Sequence, residues 1–336
     1  MQIRIGIAGL GRMGKIHALN LAHSIQGVVL VAVCSNEQQH LQWAMRHLPA
    51  HHQYQSFAEM LTNPELDAIV IASPSAFHPA QIETCVNAGL HIFCEKPIAI
   101  DQQGVDRMMT LQKRRLKTIV QIGFMRRFDT SCLRAKSIID QGKIGKPILY
   151  RGYSADSIKF IKESIRGAAQ SAGQFLDMAI HDIDLMRWYL DAEPSQVTAY
   201  GGCYAFAIFE QHQDADNVAA FFQMENATMA FLYAGRTAAH GYLVESEIIG
   251  TQGIIRVGVQ PNADFVEVVN EGGRSQLYYQ DFEERFTQAF LAEMKTFCRA
   301  IQQYDMSITN LDDSIKATRI ALGATQAFKT NELVRF

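Results

Sequence analysis

An aspartate and a histidine stand four residues apart, as Asp177 and His181, in the segment FLDMAIHDIDLMRWYL. Apolar residues recur there at helical spacing, which predicts a helix with both side chains on one face, one turn apart. A neutral imidazole can take a hydroxyl proton, because its ordinary pKa lies near the working pH. The aspartate can orient that imidazole or hydrogen-bond a substrate. The pair predicts general-base chemistry, against the alternative of a buried helix histidine bonded to Asp177 or Asp184.

Lys96 stands between Glu95 and Pro97, directly after a short apolar run. If this run is a strand of a parallel sheet, Lys96 lies at the carboxyl-end rim of the sheet, where ligands bind. Its charge would stabilise a developing alkoxide and help relay the proton. We therefore predict Lys96, Asp177 and His181 as the catalytic group. The alternative for Lys96 is a surface lysine beside a proline.

The elements that must position these side chains begin with residues 3–8, an apolar run of strand length. A glycine loop, Gly9-Leu-Gly11-Arg-Met-Gly14, and then apolar residues at helical spacing follow. Gly9 permits a tight turn, Gly11 leaves room for a pyrophosphate, and Gly14 lets helix and strand pack closely. A second strand over residues 28–34 completes a βαβ unit. The pattern predicts a dinucleotide-binding domain.

The dinucleotide type depends on the end of that second strand, which carries Ser35 where an NAD-specific site usually has an acid. Without a carboxylate to repel a 2'-phosphate, and with Arg12 in the glycine loop, the charges favour NADP, with NAD as the alternative. In that alternative, Arg12 projects into solvent or over the adenine.

Length and composition limit the number of domains and the classes of partner. The 336 residues exceed the usual size of one core, so we predict two domains. A net charge of -3 argues against nucleic acid as a partner. Six irregularly spaced cysteines signal neither a metal site nor a disulfide framework. No signal peptide or membrane span is evident, which predicts a cytoplasmic protein without a membrane partner.

Several motifs together carry a family resemblance. The glycine loop continued to His17, SPSAFH at 73–78 and FCEKP at 93–97 resemble the Gfo/Idh/MocA family of oxidoreductases. The resemblance extends through QIGFMRRFD, GQFLDMAIHDID, GRTAAHGYLVESEIIG and DSIKATRIALG, and so covers essentially the whole chain. These later segments look like landmarks of the inositol 2-dehydrogenase branch.

This resemblance implies an α/β fold: an N-terminal Rossmann domain, then a C-terminal α/β domain with a large open, mostly antiparallel sheet. That sheet commonly forms the oligomer interface, so a homodimer or homotetramer is expected. Strand-like stretches follow one another from about residue 147, including one over 196–209. The predicted division is 1–122, 123–310, and 311–336 as a helix and tail packing back near the first domain.

The resemblance assigns catalysis to the same three residues and implies that the Lys96–Pro97 peptide is often cis. Substrate binding is expected from Lys96, Arg126, Asp177, His181, His240 and Tyr242. The alternative for Arg126 and the adjacent Arg127 is an ion pair with Asp129, and Tyr242 would otherwise be an ordinary strand aromatic. The expected cofactor contacts are Gly9, Gly11, Arg12, Met13, Gly14, Ser35, Ser73, Pro74, His78, Glu95 and Lys96.

The resulting functional prediction is NAD(P)-dependent oxidation of a ring hydroxyl of myo- or scyllo-inositol to the ketone. One alternative is a dehydrogenase of another sugar or polyol. A different class of alternative is a regulator that binds the dinucleotide without turnover, as some members of the family do. Such a regulator has no need of the three catalytic residues.

Overall fold

The computed structural model describes residues 2–114, 117–167, 173–258, 262–271, 273–305 and 311–336. The chain forms two compact units, each built from two stretches of sequence. Unit 1 comprises residues 1–125 and 288–318, and unit 2 comprises residues 126–287 and 319–336. The first change of unit falls close to the predicted boundary at residue 122. The predicted third segment, 311–336, is divided between the units.

Unit 1 is built on a six-stranded parallel sheet in the order β3-β2-β1-β4-β5-β6. Its strands are β1 (Ile3–Ala8), β2 (Val28–Cys34), β3 (His52–Tyr54), β4 (Ala68–Ile71), β5 (His91–Glu95) and β6 (Val120–Gly123). The connecting helices are α1 (Arg12–His23), α2 (Gln38–His47), α3 (Phe57–Met60), α4 (His78–Asn87) and α5 (Gln102–Gln112). The Rossmann prediction is confirmed, and β1 and β2 have the predicted bounds.

The core of unit 1 includes side chains from both stretches of its sequence. Ile5, Ile7 and Phe93 from the sheet share one buried cluster with Met294 and Phe297 from the late helix α9 (Phe282–Gln303). Helix α9 has a non-helical backbone at Phe286 (φ −114°, ψ 15°). Unit 1 therefore needs the late helix to bury its apolar surface.

Unit 2 contains a seven-stranded mixed sheet in the order β12-β11-β7-β10-β9-β8-β15. Only the β7–β10 pair is parallel among these described strands, so the mostly antiparallel prediction is confirmed. Its strands are β7 (Pro147–Ser157), β8 (Pro194–Gly202), β9 (Asn217–Met224), β10 (Met229–Ala238), β11 (Leu243–Gly250), β12 (Ile254–Val257) and β15 (Val334–Arg335). A separate hairpin pairs β13 (Asn262–Asn270) with β14 (Gly273–Tyr278).

The helices of unit 2 are α6 (Thr130–Asp140), α7 (Ile161–Gly167), α8 (Ile180–Leu190), the first residues of α9 and part of α10 (Leu311–Thr330). A π-helical turn, Phe175–Ala179, leads into α8. None of the helices in the described ranges is long and apolar enough to span a membrane.

The strand-like stretch predicted over 196–209 is wrong in its second half, because β8 ends at Gly202 and a 3-10 helix covers Ala207–His212. The Asp216 carboxylate accepts hydrogen bonds from the backbone N–H groups of Tyr204, Ala205 and Phe206, at 3.0, 2.7 and 2.8 Å. These three bonds turn the chain away from the sheet, although the sequence there is rich in residues that favour strands.

Candidate active site

The glycine loop between β1 and α1 has the geometry of a dinucleotide cradle. Gly9 has φ +93°, and a Cβ there would lie 2.4 Å from the backbone oxygen of Ala72. A Cβ on Gly14 would lie 1.9 Å from the Gly9 carbonyl oxygen, so both positions require glycine. A Cβ on Gly11 would meet no heavy atom within 4 Å. The space beside Gly11 is thus open to a pyrophosphate, as the loop's role requires.

The first turn of α1 is suited to an anion. Helix α1 begins at Arg12, its N-cap is Gly11, and no side chain caps the backbone N–H groups of its first turn. This turn contains no acidic residue. Arg12 is exposed and Met13 partly exposed. The positive end of the helix dipole and these N–H groups can therefore hold phosphate oxygens.

The loop after β2 contains an acid, Glu37, that the sequence-based prediction did not consider. The Ser35 hydroxyl accepts a hydrogen bond from the backbone N–H of Glu37 and lies 3.2 Å from His40 Nδ1. Glu37 is the N-cap residue of α2 but makes no capping bond with its side chain, which is 52% exposed. A carboxylate thus stands two residues beyond Ser35, close to where ribose hydroxyls bind in such sheets. This weakens the charge argument for NADP.

His78 joins two loops at the rim of the parallel sheet. Its Nδ1 lies 2.8 Å from the carbonyl oxygen of Pro97, and its Nε2 lies 2.9 Å from that of Ser73. The ring is 1% exposed, and burial lowers the pKa of His78, although both carbonyl oxygens oppose this effect. His78 is predicted to contact the cofactor. In the structure it lies between the Ser73–Pro74 loop and the Lys96–Pro97 loop.

Lys96 follows the last residue of β5 and is partly exposed. The Lys96–Pro97 peptide is cis, as the resemblance implied. The Lys96 backbone N–H donates to Oε2 of Glu95 at 3.3 Å, while Oε1 of Glu95 lies 2.6 Å from His17 Nε2. Glu95 is 6% exposed, so its carboxylate faces the interior and fixes the turn that carries Lys96.

In unit 2, Asp177 lies in the π-turn and His181 in the first turn of α8. The predicted helix is present, but its first turn is π-helical. Such turns are rare and often mark functional sites, because they change the direction of a side chain within a helix. Asp177 is 46% exposed at its side chain, whereas the His181 residue is 7% exposed. The alternative interpretation of His181 is a buried histidine bonded to Asp177 or Asp184. Both aspartates form ion pairs with arginines, Asp177 with Arg236 and Asp184 with Arg127.

Arg236, on β10, was not identified from the sequence. It is 1% exposed, donates to Asp177 Oδ2 at 3.2 Å and to Asp214 Oδ2 at 2.7 Å, and lies over the Phe209 ring. Burial lowers the pKa of Arg236, but the charges of Asp177 and Asp214 outweigh it, so the net shift is upward. Asp214 Oδ1 also accepts the backbone N–H of Gln174, at the start of the π-turn. Arg236 and Asp214 therefore hold both Asp177 and its turn.

Arg126 and Arg127 form ion pairs, but with partners other than Asp129. Arg126 Nη1 donates to Asp182 Oδ1 at 2.8 Å, and Arg127 donates to both carboxylate oxygens of Asp184. Arg126 is 2% exposed, and the charge of Asp182 raises its pKa despite the opposing effect of burial. Asp129 instead accepts from Arg285 at 2.8 Å. Through Asp182, Arg126 anchors the helix residue next to His181.

The remaining predicted substrate residues follow β10. His240 is exposed, with its ring 5.2 Å from that of Tyr278 in an edge-on arrangement. Tyr242 is 5% exposed and packs edge-on against Phe286, and burial raises its pKa. His240 is thus accessible to a ligand from solvent, whereas Tyr242 lies mainly inside unit 2.

Comparisons with known proteins identify the family of both domains. A family model described as an oxidoreductase family with an NAD-binding Rossmann fold matches residues 3–124, and a model of the GFO/IDH/MocA C-terminal domain matches residues 132–256. The scyllo-inositol 2-dehydrogenase (NAD(+)) of Bacillus subtilis is 31% identical over 332 residues, covering 98% of this chain and 94% of that protein.

Two solved structures are similar over their full length. The scyllo-inositol dehydrogenase of Lactobacillus casei with bound NAD(H) and scyllo-inositol is 42% identical, with a TM-score of 0.94 and coverage of 100% of this chain and 99% of that one. The myo-inositol 2-dehydrogenase of Lactobacillus plantarum is 38% identical, with a TM-score of 0.97 and complete coverage of both chains, 100% of each. The names of these relatives give no support to an NADP preference. With both of its domains matched, the chain belongs to the Gfo/Idh/MocA family of oxidoreductases.

Proposed function

We propose that this protein oxidises a ring hydroxyl of an inositol, scyllo- or myo-inositol, to the ketone by hydride transfer to a nicotinamide dinucleotide. One observation carries the proposal: the full-length similarity to the L. casei enzyme solved with NAD(H) and scyllo-inositol. Lys96, Asp177 and His181 are the residue types that this reaction needs.

In this proposal a dinucleotide held by the glycine loop and the Glu95–Lys96 turn would supply the hydride acceptor. His181 takes the hydroxyl proton as a neutral imidazole, and Lys96 stabilises the developing alkoxide. Asp177, held by Arg236, hydrogen-bonds the substrate or the imidazole. Arg126 contributes by fixing Asp182, the residue next to His181. His240 supplies hydrogen bonds to substrate hydroxyls, and Tyr242 supports the same segment from within unit 2.

The cradle for the dinucleotide consists of the glycine loop with Arg12 and Met13, the Ser73–Pro74 loop held by His78, and the Glu95–Lys96 turn. We propose NAD as the cofactor, with NADP as the tested alternative. The Glu37 carboxylate would repel a 2'-phosphate, whereas Arg12 would attract one. Glu37→Gln is expected to improve kcat/KM for NADP relative to NAD, and Arg12→Gln to reduce it. An unchanged ratio in both variants would remove these residues from cofactor choice.

The test of the reaction is the initial rate of nicotinamide reduction with scyllo-inositol, myo-inositol, glucose and xylose. Lys96→Met, Asp177→Asn and His181→Gln are each expected to lower kcat by about 10²-fold or more, since general acid–base groups contribute about 10²–10⁴-fold. Lys113→Met, a lysine outside the predicted site, is the matched control. Circular dichroism must show that each variant is folded.

The same assay separates the other functions. Turnover of glucose or xylose but no inositol would favour the alternative sugar dehydrogenase. Dinucleotide binding without turnover on any of these compounds would favour the regulator. Full activity of both Lys96→Met and His181→Gln would contradict the catalytic roles whatever the substrate.

We also propose that the chain forms a homo-oligomer through the exposed face of the unit 2 sheet. The paired residues Phe221 and Phe231 are 46% and 36% exposed, and Arg151 pairs with Phe231 in the next strand. A neighbouring aromatic pair on one sheet face suits a second copy of the chain. Phe221→Lys is expected to shift the sedimentation coefficient towards that of the monomer, and an unchanged coefficient would contradict this interface.

A cytoplasmic location is part of the same proposal. All six cysteines, each within the described ranges, are free thiols, and all but Cys203 are buried. Free thiols suit a reducing compartment. Fractionation of cells that produce the protein tests this placement.

A further inference from the structure

Unit 1 contains a buried cluster of three titratable side chains beside the Lys96 turn. The cluster consists of His17 on α1, Glu95 at the end of β5 and Glu293 on α9. One ring nitrogen of the histidine and one carboxylate oxygen of each glutamate all lie within 4.8 Å of one another. His17 and Glu293 are 0% exposed and Glu95 is 6% exposed. Three such groups in an apolar interior are costly unless their charges are balanced.

The two ends of this cluster differ in how they are bonded. Glu95 has partners on both oxygens, His17 Nε2 and the Lys96 backbone N–H. Neither carboxyl oxygen of Glu293 has a hydrogen-bond partner, although the residue is completely buried. A buried carboxylate in this position would be an uncompensated charge next to a second carboxylate, and such a pair does not ionise twice.

The surroundings of the cluster favour a single negative charge. A neutral imidazole with its proton on Nε2 satisfies the 2.6 Å contact with Glu95 and leaves Nδ1, which has no hydrogen-bond partner, as an acceptor. The ring packs edge-on against Phe93 and Phe290, with centroids 5.0 and 6.1 Å away. Glu293 is therefore the member that must carry a proton, and burial together with the Glu95 charge raises its pKa.

We propose that Glu293 is a neutral carboxylic acid that hydrogen-bonds Glu95 and so holds the Glu95–Lys96 turn in position, which makes it a positioning residue. The assignment of Lys96 to the chemistry rests on the proposed function. A Glu293 oxygen and a Glu95 oxygen lie within 4.8 Å of each other, and the hydrogen bond requires a Glu293 rotamer that brings the O–H to the Glu95 carboxylate. The Glu95 carboxylate packs against Gly123, where an added Cβ would lie only 3.1–3.2 Å from the carboxylate atoms.

The cluster also links three elements with different tasks. His17 lies on the helix of the dinucleotide loop, Glu95 on the strand that leads to Lys96, and Glu293 on the late helix α9. Gln121 of β6 donates from Nε2 to the Glu293 backbone oxygen at 3.0 Å, which fixes α9 against the sheet. Loss of the Glu293 proton would place two adjacent carboxylates under Lys96 and disturb its turn.

Other ionisable groups around the cluster belong to the same strand, its following loop and α4. Glu95 acts electrostatically on His78 and Cys94, Lys96 acts on His78, and the Cys85 thiol acts on Cys94. Burial raises the pKa of both thiols and lowers that of His78, so each favours its neutral form. Among these neighbours, the cation is Lys96, which directly follows Glu95 in the chain.

An infrared measurement tests the proton directly and does not require turnover. The difference spectrum of the full chain, unmodified protein minus Glu293→Gln at pH 7, should show the C=O stretch of a protonated carboxylic acid, shifted in D2O. Its absence would overturn the proposal. A stoichiometric metal ion in the purified protein that is lost in Glu293→Gln would also overturn it, because the cluster would then be a metal site.

Kinetics test the positioning role separately. Glu293→Gln keeps a neutral donor, and we expect kcat to stay within about threefold. Glu293→Leu removes the donor, and a displaced Lys96 turn should lower kcat by about 10- to 100-fold while dinucleotide affinity is kept. Met294→Leu, at the adjacent buried position of α9, is the matched packing control.

Equal kcat values in Glu293→Leu and Met294→Leu would refute the positioning role. If Glu293→Leu does not fold, the infrared band and the kcat of Glu293→Gln still test the proposal. If the unmodified protein oxidises no polyol, the proposed function fails, whereas the infrared band continues to test the protonated acid.

Discussion

Replacement of Arg236 by methionine should destabilise unit 2 mainly through Asp214, whereas the effect on catalysis should come through Asp177. Arg236 is 1% exposed and lies between Asp214, with a side chain 5% exposed, and Asp177, with a side chain 46% exposed. Arg236→Met leaves the Asp214 carboxylate buried without its cation, and removing one partner of such a pair costs about 3–5 kcal/mol. Asp177 adds at most about 1 kcal/mol to this, because water screens its partly exposed carboxylate.

A double variant tests this division of the energy. Asp214→Asn combined with Arg236→Met removes both charges but keeps an acceptor for the Gln174 N–H, and it should recover about 1–3 kcal/mol relative to Arg236→Met alone. Asp177→Asn should change stability by less than about 1 kcal/mol but abolish most of the activity. The Asp214–Arg236 coupling is therefore expected to exceed the Asp177–Arg236 coupling in stability.

The assay is urea unfolding followed by tryptophan fluorescence in a Trp43→Phe background. Trp43 belongs to unit 1 and Trp188 to unit 2, so the remaining signal reports unit 2. This matters because two units need not unfold in one transition. A cost below about 1 kcal/mol for Arg236→Met, or a double variant no more stable than the single one, would refute the argument that Asp214 depends on this cation.

Three further predictions concern other parts of the chain. Gly11→Ala should leave stability within about 1 kcal/mol but weaken dinucleotide binding measured by calorimetry, whereas Gly14→Ala should reduce the melting temperature because its Cβ would collide with backbone. The pKa of Asp129 is lowered because hydrogen bonds from Arg285 and the α6 backbone outweigh burial, so Asp129→Asn should cost about 1–2 kcal/mol at pH 7. That cost should shrink as pH falls from about 4 towards the lowered pKa, since the stabilisation exists only while Asp129 is ionised. The pKa of Glu293 is raised in the folded protein, so the unfolded state releases this proton first as pH rises. The free energy of unfolding should therefore fall from about pH 4.3 upward. Glu293→Gln should remove this pH dependence in denaturant titrations.

The sequence contained enough local information for the first half of the fold. The strands 3–8 and 28–34 have the predicted bounds, because continuous apolar runs flanked by turn residues have few alternatives in a parallel sheet. The need for glycine at Gly9 and Gly14 likewise follows from backbone geometry that a motif encodes directly. In these cases, local pattern and long-range packing favour the same conformation.

Long-range contacts explain what the pattern could not predict. The π-turn at Asp177 starts where Gln174 donates to Asp214, 40 residues later, and no local spacing indicates that bond. Arg236 and Glu293 stand in ordinary strand and helix sequences, where charged residues usually face solvent, yet they are 1% and 0% exposed. The early ending of β8 depends in the same way on Asp216, which is distant in sequence from the strand's start.

The interleaved order of the two units has a consequence for synthesis of the protein on the ribosome. The apolar surface of the first sheet is covered by Met294 and Phe297, which leave the ribosome only after most of unit 2 has been made. Residues 1–125 alone would expose that surface throughout this interval, an attractive target for holding chaperones. A nascent chain arrested before residue 288 should therefore be protease-sensitive throughout its Rossmann sheet, and resistance should appear once α9 has emerged.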